Sequence, residues 1–142
     1  MEKTLIILKP DCVQRGLCGA VLSRFEQRGF SVSAMKMVKL SGSLLEEHYS
    51  HLKGKPFFPG LLAFMSSTPV IIAILEGENA VEKVREICGK TNPAEAAPGT
   101  IRREMGSSVQ ENIIHASDSR ETAEKEIKRF FKLGEVHSYS KN

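Results

Sequence analysis

The chain has 142 residues, 41% hydrophobic and 26% charged, with a formal net charge of +3. At roughly 150 residues per domain this predicts one domain over residues 1–142, with enough apolar side chain to exclude bulk disorder. The longest apolar run (Val70 to Leu75) is too short to span a bilayer, no secretory signal precedes it, the cations are dispersed, and three cysteines lack a CxxC spacing, so a membrane protein, a nucleic-acid binder as main role and a disulfide or zinc scaffold are set aside for a reducing, cytoplasmic location.

Thr4 to Leu8 reads as a strand closed by a Lys9-Pro10-Asp11 turn, which leaves Lys9 at the strand's C-terminal end. From Gly16 to Gln27 the residues Leu17, Ala20, Val21 and Phe25 recur at helical spacing, and Gly29 is the stop signal. Phe30 to Leu40 predicts a second strand, and Ser43 to Leu52 and Phe57 to Met65 predict helices. Val70 to Leu75 is apolar throughout and predicts a central strand covered on both faces. Ala80 to Cys88 is helical, and Gly89 to Glu111 has no sustained period, which predicts a long functional loop. Ile113 and Ile114 start a last short strand, followed by a helix from about Ser119 to Phe131, capped by Asp118 or Ser119. This order is close to βαββαβ and predicts an α+β, ferredoxin-like sandwich in which helices cover an antiparallel sheet.

Two motifs fail. Gly89-Lys90-Thr91 imitates the end of a phosphate-binding loop, but position 84 is Val84 and a helix, not a strand, precedes it. His48 and His51 lack a third ligand and read as a solvated helix face. The segment from Asn112 to Ser119 (NIIHASDS) is more specific, because it places His115 at the end of a buried strand beside small residues that leave the ring accessible. A histidine near its ordinary pKa of about 6.5 is substantially neutral at pH 7 and attacks an electrophile without an activating base, given an acceptor that orients its other nitrogen. On the last helix Ala123, Ile127 and Phe130 define the inward face. Glu126 lies at one edge and Glu124 at the other, and periodicity alone leaves both open.

NIIHASDS, Thr91-Asn92-Pro93, Pro98-Gly99-Thr100-Ile101-Arg102, Lys9-Pro10-Asp11, Glu47-His48-Tyr49 and Lys55-Pro56-Phe57-Phe58 together resemble the nucleoside diphosphate kinase family, from Thr4 to about Phe131. The resemblance implies a ping-pong transfer of the γ-phosphate of a nucleoside triphosphate, mainly ATP, to nucleoside diphosphates through a phosphohistidine, maintaining nucleotide and deoxynucleotide triphosphate pools. By the same resemblance His115 is the nucleophile, Ser117 and Glu126 orient it, and Tyr49 is a phenol beside it. Arg85, Thr91 and Arg102 hold phosphate, as guanidinium forks and hydroxyls suit. Lys9 and Asn112 reach the ribose hydroxyls. Phe57 stacks on the base, and Leu61 and Val109 complete an apolar slot. The loop after Gly89 becomes a nucleotide-binding loop. No metal site of the protein's own is implied; Mg²⁺ rides on the nucleotide phosphates near Asp118. A homo-oligomer, tetramer or hexamer, is implied as well. The alternative is a nucleotide-binding or scaffold protein of this fold without turnover, against which the presence of His115, Ser117, Glu126 and all three phosphate ligands argues.

The sequence departs from the family pattern at Cys12 and Ala116, where glycine is common, at Arg103-Glu104-Met105, and at Gln110-Glu111. A side chain at either former glycine costs of order 1 kcal/mol if the backbone needs φ > 0.

Overall fold

Alternation along the first strand sorts the molecule into layers. A computed structural model describes residues 1–141, and in it Glu2–Leu8 (β1) sends Ile6 and Leu8 to one face of the sheet and Leu5 and Ile7 to the other. All four side chains are fully buried, and each contributes roughly 1.5–3 kcal/mol of transfer free energy. On the first face they meet Val21 and Phe25 of Cys18–Gln27 (α2) and Val84 and Ile87 of Ala80–Cys88 (α5). On the second they meet Leu45 of Gly42–His48 (α3), Phe58 and Met65 of Phe58–Met65 (α4), and Phe130 of Arg120–Phe130 (α7).

The sheet runs β2 (Ser31–Val38), β3 (Val70–Gly77), β1, β4 (Ile114–Ala116), with every neighbouring pair antiparallel. β1 and β2 are therefore parallel to each other with β3 between them, and α2 makes their crossover. This is the ferredoxin-like, antiparallel α+β sandwich that the sequence predicts. The apolar run at Val70 is central because β3 pairs on both sides, and it is covered on both faces because Ala73 and Leu75 pack in one core and Val70, Ile72 and Ile74 in the other.

Two short helices were not legible in the sequence. Pro10–Gln14 (α1) begins where a turn was expected, since proline fits the first position of a helix as well as a turn. Ile101–Met105 (α6) interrupts the long loop and is capped by the Thr100 hydroxyl, which accepts from the Arg103 N–H. The helix expected to Leu52 ends at His48 and continues as a 3₁₀ turn over Ser50–Leu52. Cys12 lies inside α1 and Ala116 inside β4, both with negative φ, so neither departure from glycine strains the backbone. Arg103 donates to the Ala94 carbonyl at 2.8 Å, Arg15 donates to the Met105 carbonyl at 2.6 Å, and Glu104 pairs with Arg24. The altered loop residues thus fasten α6 to its surroundings.

Candidate active site

β4 pairs with β1 in a register that sets His115 opposite Ile7, so the imidazole projects toward the layer of α3, α4 and α7. The strand is reached through a strained residue. Ile113 has φ +78°, which for a β-branched side chain costs about 1–3 kcal/mol and persists only where its surroundings fix it. Here they do: the Ile113 N–H donates to Oδ2 of buried Asp11 at 3.0 Å, and its carbonyl accepts from the Lys9 N–H at 2.9 Å. Sequence reasoning missed this anchoring by Asp11. Its partner lies 102 positions along the chain, so no local pattern pointed to it.

Glu126 on α7 is buried, whereas Glu124 is exposed, and this decides between the two edges of the helix. Both Glu126 oxygens lie 3.0 Å from Nε2 of His115, and the Ser117 hydroxyl donates to Oε1 at 2.6 Å. Burial raises the Glu126 carboxyl, but the hydrogen bond and charge of His115 and the bond from Ser117 outweigh it and leave the group below its ordinary range. Ionised, Glu126 only accepts, so Nε2 of His115 carries the proton and Nδ1 is the ring's free nitrogen.

His48 does not lie on a solvated helix face. Its ring is buried, edge-on to His115 with centroids 4.8 Å apart, while His51 is exposed. The helix turns its last residue inward because Leu45 and His48 are one turn apart on the side that packs against Phe130. Burial, then the His115 charge, pushes His48 down to about 3, so it is neutral at physiological pH. Tyr49, also buried, is held well above the ordinary phenol range by burial and by Glu126 and remains protonated.

These residues line a cleft of about 640 Å³, which also takes in Lys9, Arg85, Thr91, Arg102 and Asn112 together with the apolar Phe57, Leu61 and Val109. All the site residues expected from the sequence line it except Ser117, which acts from behind through Glu126. Lys9 Nζ donates to Asn112 Oδ1 at 2.8 Å and to the Gln110 carbonyl at 2.6 Å, and Asn112 Nδ2 donates to the Thr91 carbonyl at 2.9 Å. Burial, partly offset by Asp11, lowers Lys9 to about 8. Arg102 donates to the carbonyls of Gly89 at 2.8 Å and Ile114 at 2.6 Å, and its buried Nε has no partner. Gly89 has φ +88°, and a Cβ there would stand 2.6 Å from the Thr100 hydroxyl oxygen, so the close approach of α5 to α6 requires glycine. Arg85 is exposed and donates to the Ala116 carbonyl at 3.3 Å. Phe57 and Val109 are 54% and 56% exposed, which is unusual for large apolar side chains unless something flat is to lie between them.

A ferredoxin-like sandwich with a carboxylate-oriented histidine, several cations and apolar side chains in one cleft defines a phosphotransferase-type nucleotide site. Residues 2–136 match the family model for nucleoside diphosphate kinase. A nucleoside diphosphate kinase of Parabacteroides distasonis is 56% identical over 98% of this chain and 91% of its own length, and one of Methanocaldococcus jannaschii is 52% identical over 95% and 96%. Among solved structures, a halophilic nucleoside diphosphate kinase from Halobacterium salinarum in complex with CDP superposes with a TM-score of 0.96 at 38% identity, covering 99% of this chain and 94% of that one. That of Aquifex aeolicus gives 0.92 at 46% identity over 95% and 98%. The chain belongs to the nucleoside diphosphate kinase family, and it is an enzyme of nucleotide phosphate transfer.

Proposed function

We propose that the chain moves the γ-phosphate of a nucleoside triphosphate, mainly ATP, to a nucleoside diphosphate in two half-reactions through a phosphohistidine on Nδ1 of His115, acting as one domain over its length. The observation that carries this is the pairing of His115 Nε2 with the Glu126 carboxylate, which leaves Nδ1 as the free nucleophile beside the cleft. In the first half-reaction Nδ1 attacks the γ-phosphorus and the bond to the β-phosphate oxygen breaks. Glu126 stabilises the positive charge that develops on the ring, and the Ser117 hydrogen bond keeps the carboxylate in place. The diphosphate leaves, another binds, and the same steps run backwards.

Arg85, Thr91 and Arg102 hold the phosphates, because charge spreads over the equatorial oxygens of a loose phosphoryl transition state and fixed donors stabilise it without reorganising. The place of Arg102 in the lining of the cleft supports this role. Lys9 and Asn112 address the ribose hydroxyls, Tyr49 presents its hydroxyl near the imidazole, and Phe57, Leu61 and Val109 clamp the base. Members of this family generally use a divalent metal; here that ion is Mg²⁺. Asp118 suits it as the cleft carboxylate without a protein partner among the described residues, since Mg²⁺ is commonly held by one carboxylate together with substrate phosphates. The ion supplies charge neutralisation on the phosphates.

A homo-oligomer, tetramer or hexamer, belongs to the same proposal, supported by Met35 and Met37, both more than half exposed on the edge strand β2. So does a cytoplasmic location, supported by three free cysteines; no helix among the described residues is long and apolar enough to cross a membrane. The deciding experiment is incubation with γ-labelled ATP followed by a GDP chase. Label should appear on His115, be acid-labile and leave with GDP, and His115→Ala should lose both labelling and transfer while staying folded. Label retained on that variant overturns the assignment.

A further inference from the structure

Cys12 and Cys18 are six positions apart in no recognised metal or redox spacing, yet folding brings their sulfurs to 4.0 Å. The chain leaves α1 through Gly16 at φ +68°, and the Leu17 N–H returns to the Cys12 carbonyl at 3.0 Å, which sets Cys18, the first residue of α2, beside Cys12. Both thiols are free; Cys12 is fully buried and Cys18 partly exposed. Burial and the adjacent sulfur hold the Cys12 thiol well above its ordinary range, so it keeps its proton until a reactive partner is formed next to it. Cys18 is the sulfur that a small solute reaches.

We propose that Cys12 and Cys18 form an oxidisable dithiol whose reactant is hydrogen peroxide, and that closing it to an intramolecular disulfide loosens the support of His115. The Cys18 thiolate attacks one peroxide oxygen, the O–O bond breaks, and the departing hydroxide is protonated to water, leaving a sulfenic acid on Cys18. The Cys12 sulfur then attacks the Cys18 sulfur. The S–O bond breaks, and the hydroxide that leaves takes the Cys12 proton as a second water. Each sulfur is oxidised by one electron and the peroxide is reduced by two.

Closure must shorten the sulfur separation from 4.0 Å to about 2.05 Å. Cys12 packs in the same core cluster as Val21 and Phe25 of α2, so neither helix is free to slide and the shortening strains the short α1 as well as α2. α1 carries Asp11, whose carboxylate holds Ile113 in its strained conformation two residues before His115. A displaced Asp11 releases that strain and moves the strand that aims the imidazole. Misplacement of a reacting group by about 1 Å costs up to 100-fold in rate.

The effect on transfer rests on His115 as the nucleophile; formation of the bond does not, and the two are read separately. The full chain is treated with hydrogen peroxide, quenched, denatured, alkylated and cut with trypsin, which cleaves at Arg15 between the two cysteines. The expected product is one Cys12–Cys18 linked peptide lighter by two hydrogens, with Cys88 alkylated as in untreated protein. kcat/KM should fall about tenfold or more and recover with dithiothreitol, and Cys18→Ser should keep its activity through the same treatment. A sulfinic acid on Cys18, a disulfide between two copies, or a closed disulfide with unchanged kinetics overturns the proposal. So does a thiol-reversible loss of activity in Cys18→Ser.

Discussion

Nη1 of Arg129 donates to Nδ1 of His48 at 3.0 Å, which fixes the proton of that buried ring on Nε2. The same Nδ1 lies 3.7 Å from Oε2 of Glu126. With its lone pair engaged by Arg129, His48 has no proton to offer Glu126, and the carboxylate stays committed to His115 and Ser117.

Arg129→Leu should break that commitment. Nδ1 of His48 becomes free to carry a proton and to bond Glu126, and loss of the Arg129 charge eases protonation of the ring. The expected result is a roughly three- to tenfold lower kcat at pH 6, a smaller loss at pH 8, and unchanged KM for nucleotide. A pH profile equal to that of the parent protein would show that Arg129 only covers the surface.

His48 should also make folding stability depend on pH. Its ionisation is depressed from 6.5 to about 3 in the folded protein, mainly by burial, so between these values the unfolded chain binds the proton and the native one does not. Stability therefore rises with pH across this window. The contribution is complete above 6.5, and roughly 2 kcal/mol of it is lost between pH 6.5 and pH 5. Urea unfolding of wild type and His48→Gln over that range checks this: the variant should show a shallower slope with pH, whatever its absolute stability, and equal slopes would refute the assignment.

The strands and long helices were legible because their apolar periods coincide with what they bury: Val21 and Phe25 on α2, and the unbroken run of β3. The place of His115 was legible because the run from Asn112 to Ser119 sets a lone histidine at the end of a buried strand, but its proposed part as nucleophile came from the motif resemblance, since a core histidine shows the same local pattern. His48 was misread because a histidine on a short amphipathic helix looks the same whether it meets water or a second ring, and only the packing of α7 across α3 separates the cases. Asp11 and Arg129 were invisible for a related reason. Their partners lie 102 and 81 positions away, and no local period encodes such pairs.

The two arginines of the cleft should separate in mutants. Arg102 ties Gly89 and Ile114 together from a buried position, so Arg102→Ala leaves two carbonyls unpaired and should cost roughly 2–4 kcal/mol of stability besides lowering kcat/KM. Arg85 is exposed and makes one long bond to Ala116, so Arg85→Ala should lower kcat/KM by roughly 10- to 1000-fold with stability within about 0.5 kcal/mol of the parent. Denaturant midpoints measured beside kinetics check both. Equal stability losses would mean that Arg85, too, braces the strand.

Base tolerance should follow from the apolar lining of the cleft. Phe57 and Val109 are more than half exposed and line the cleft with Leu61, and on the proposed function these surfaces stack on any base without reading its edge. Stacking contributes about 1–3 kcal/mol per base, whereas a hydrogen-bonding pocket rejects a wrong edge by orders of magnitude. Gln110 is a polar residue of the same lining, and its backbone carbonyl is engaged by Lys9 while its side chain is exposed. Values of kcat/KM for ADP, GDP, CDP, UDP and TDP against one donor should therefore agree within roughly 10- to 100-fold. Phe57→Ala should lower all five together by about 5- to 100-fold, because it removes a contact common to every base. A preference beyond roughly a thousandfold that disappears in Gln110→Ala would show that this side chain reads a base edge, and the stacking account of the slot would then fail.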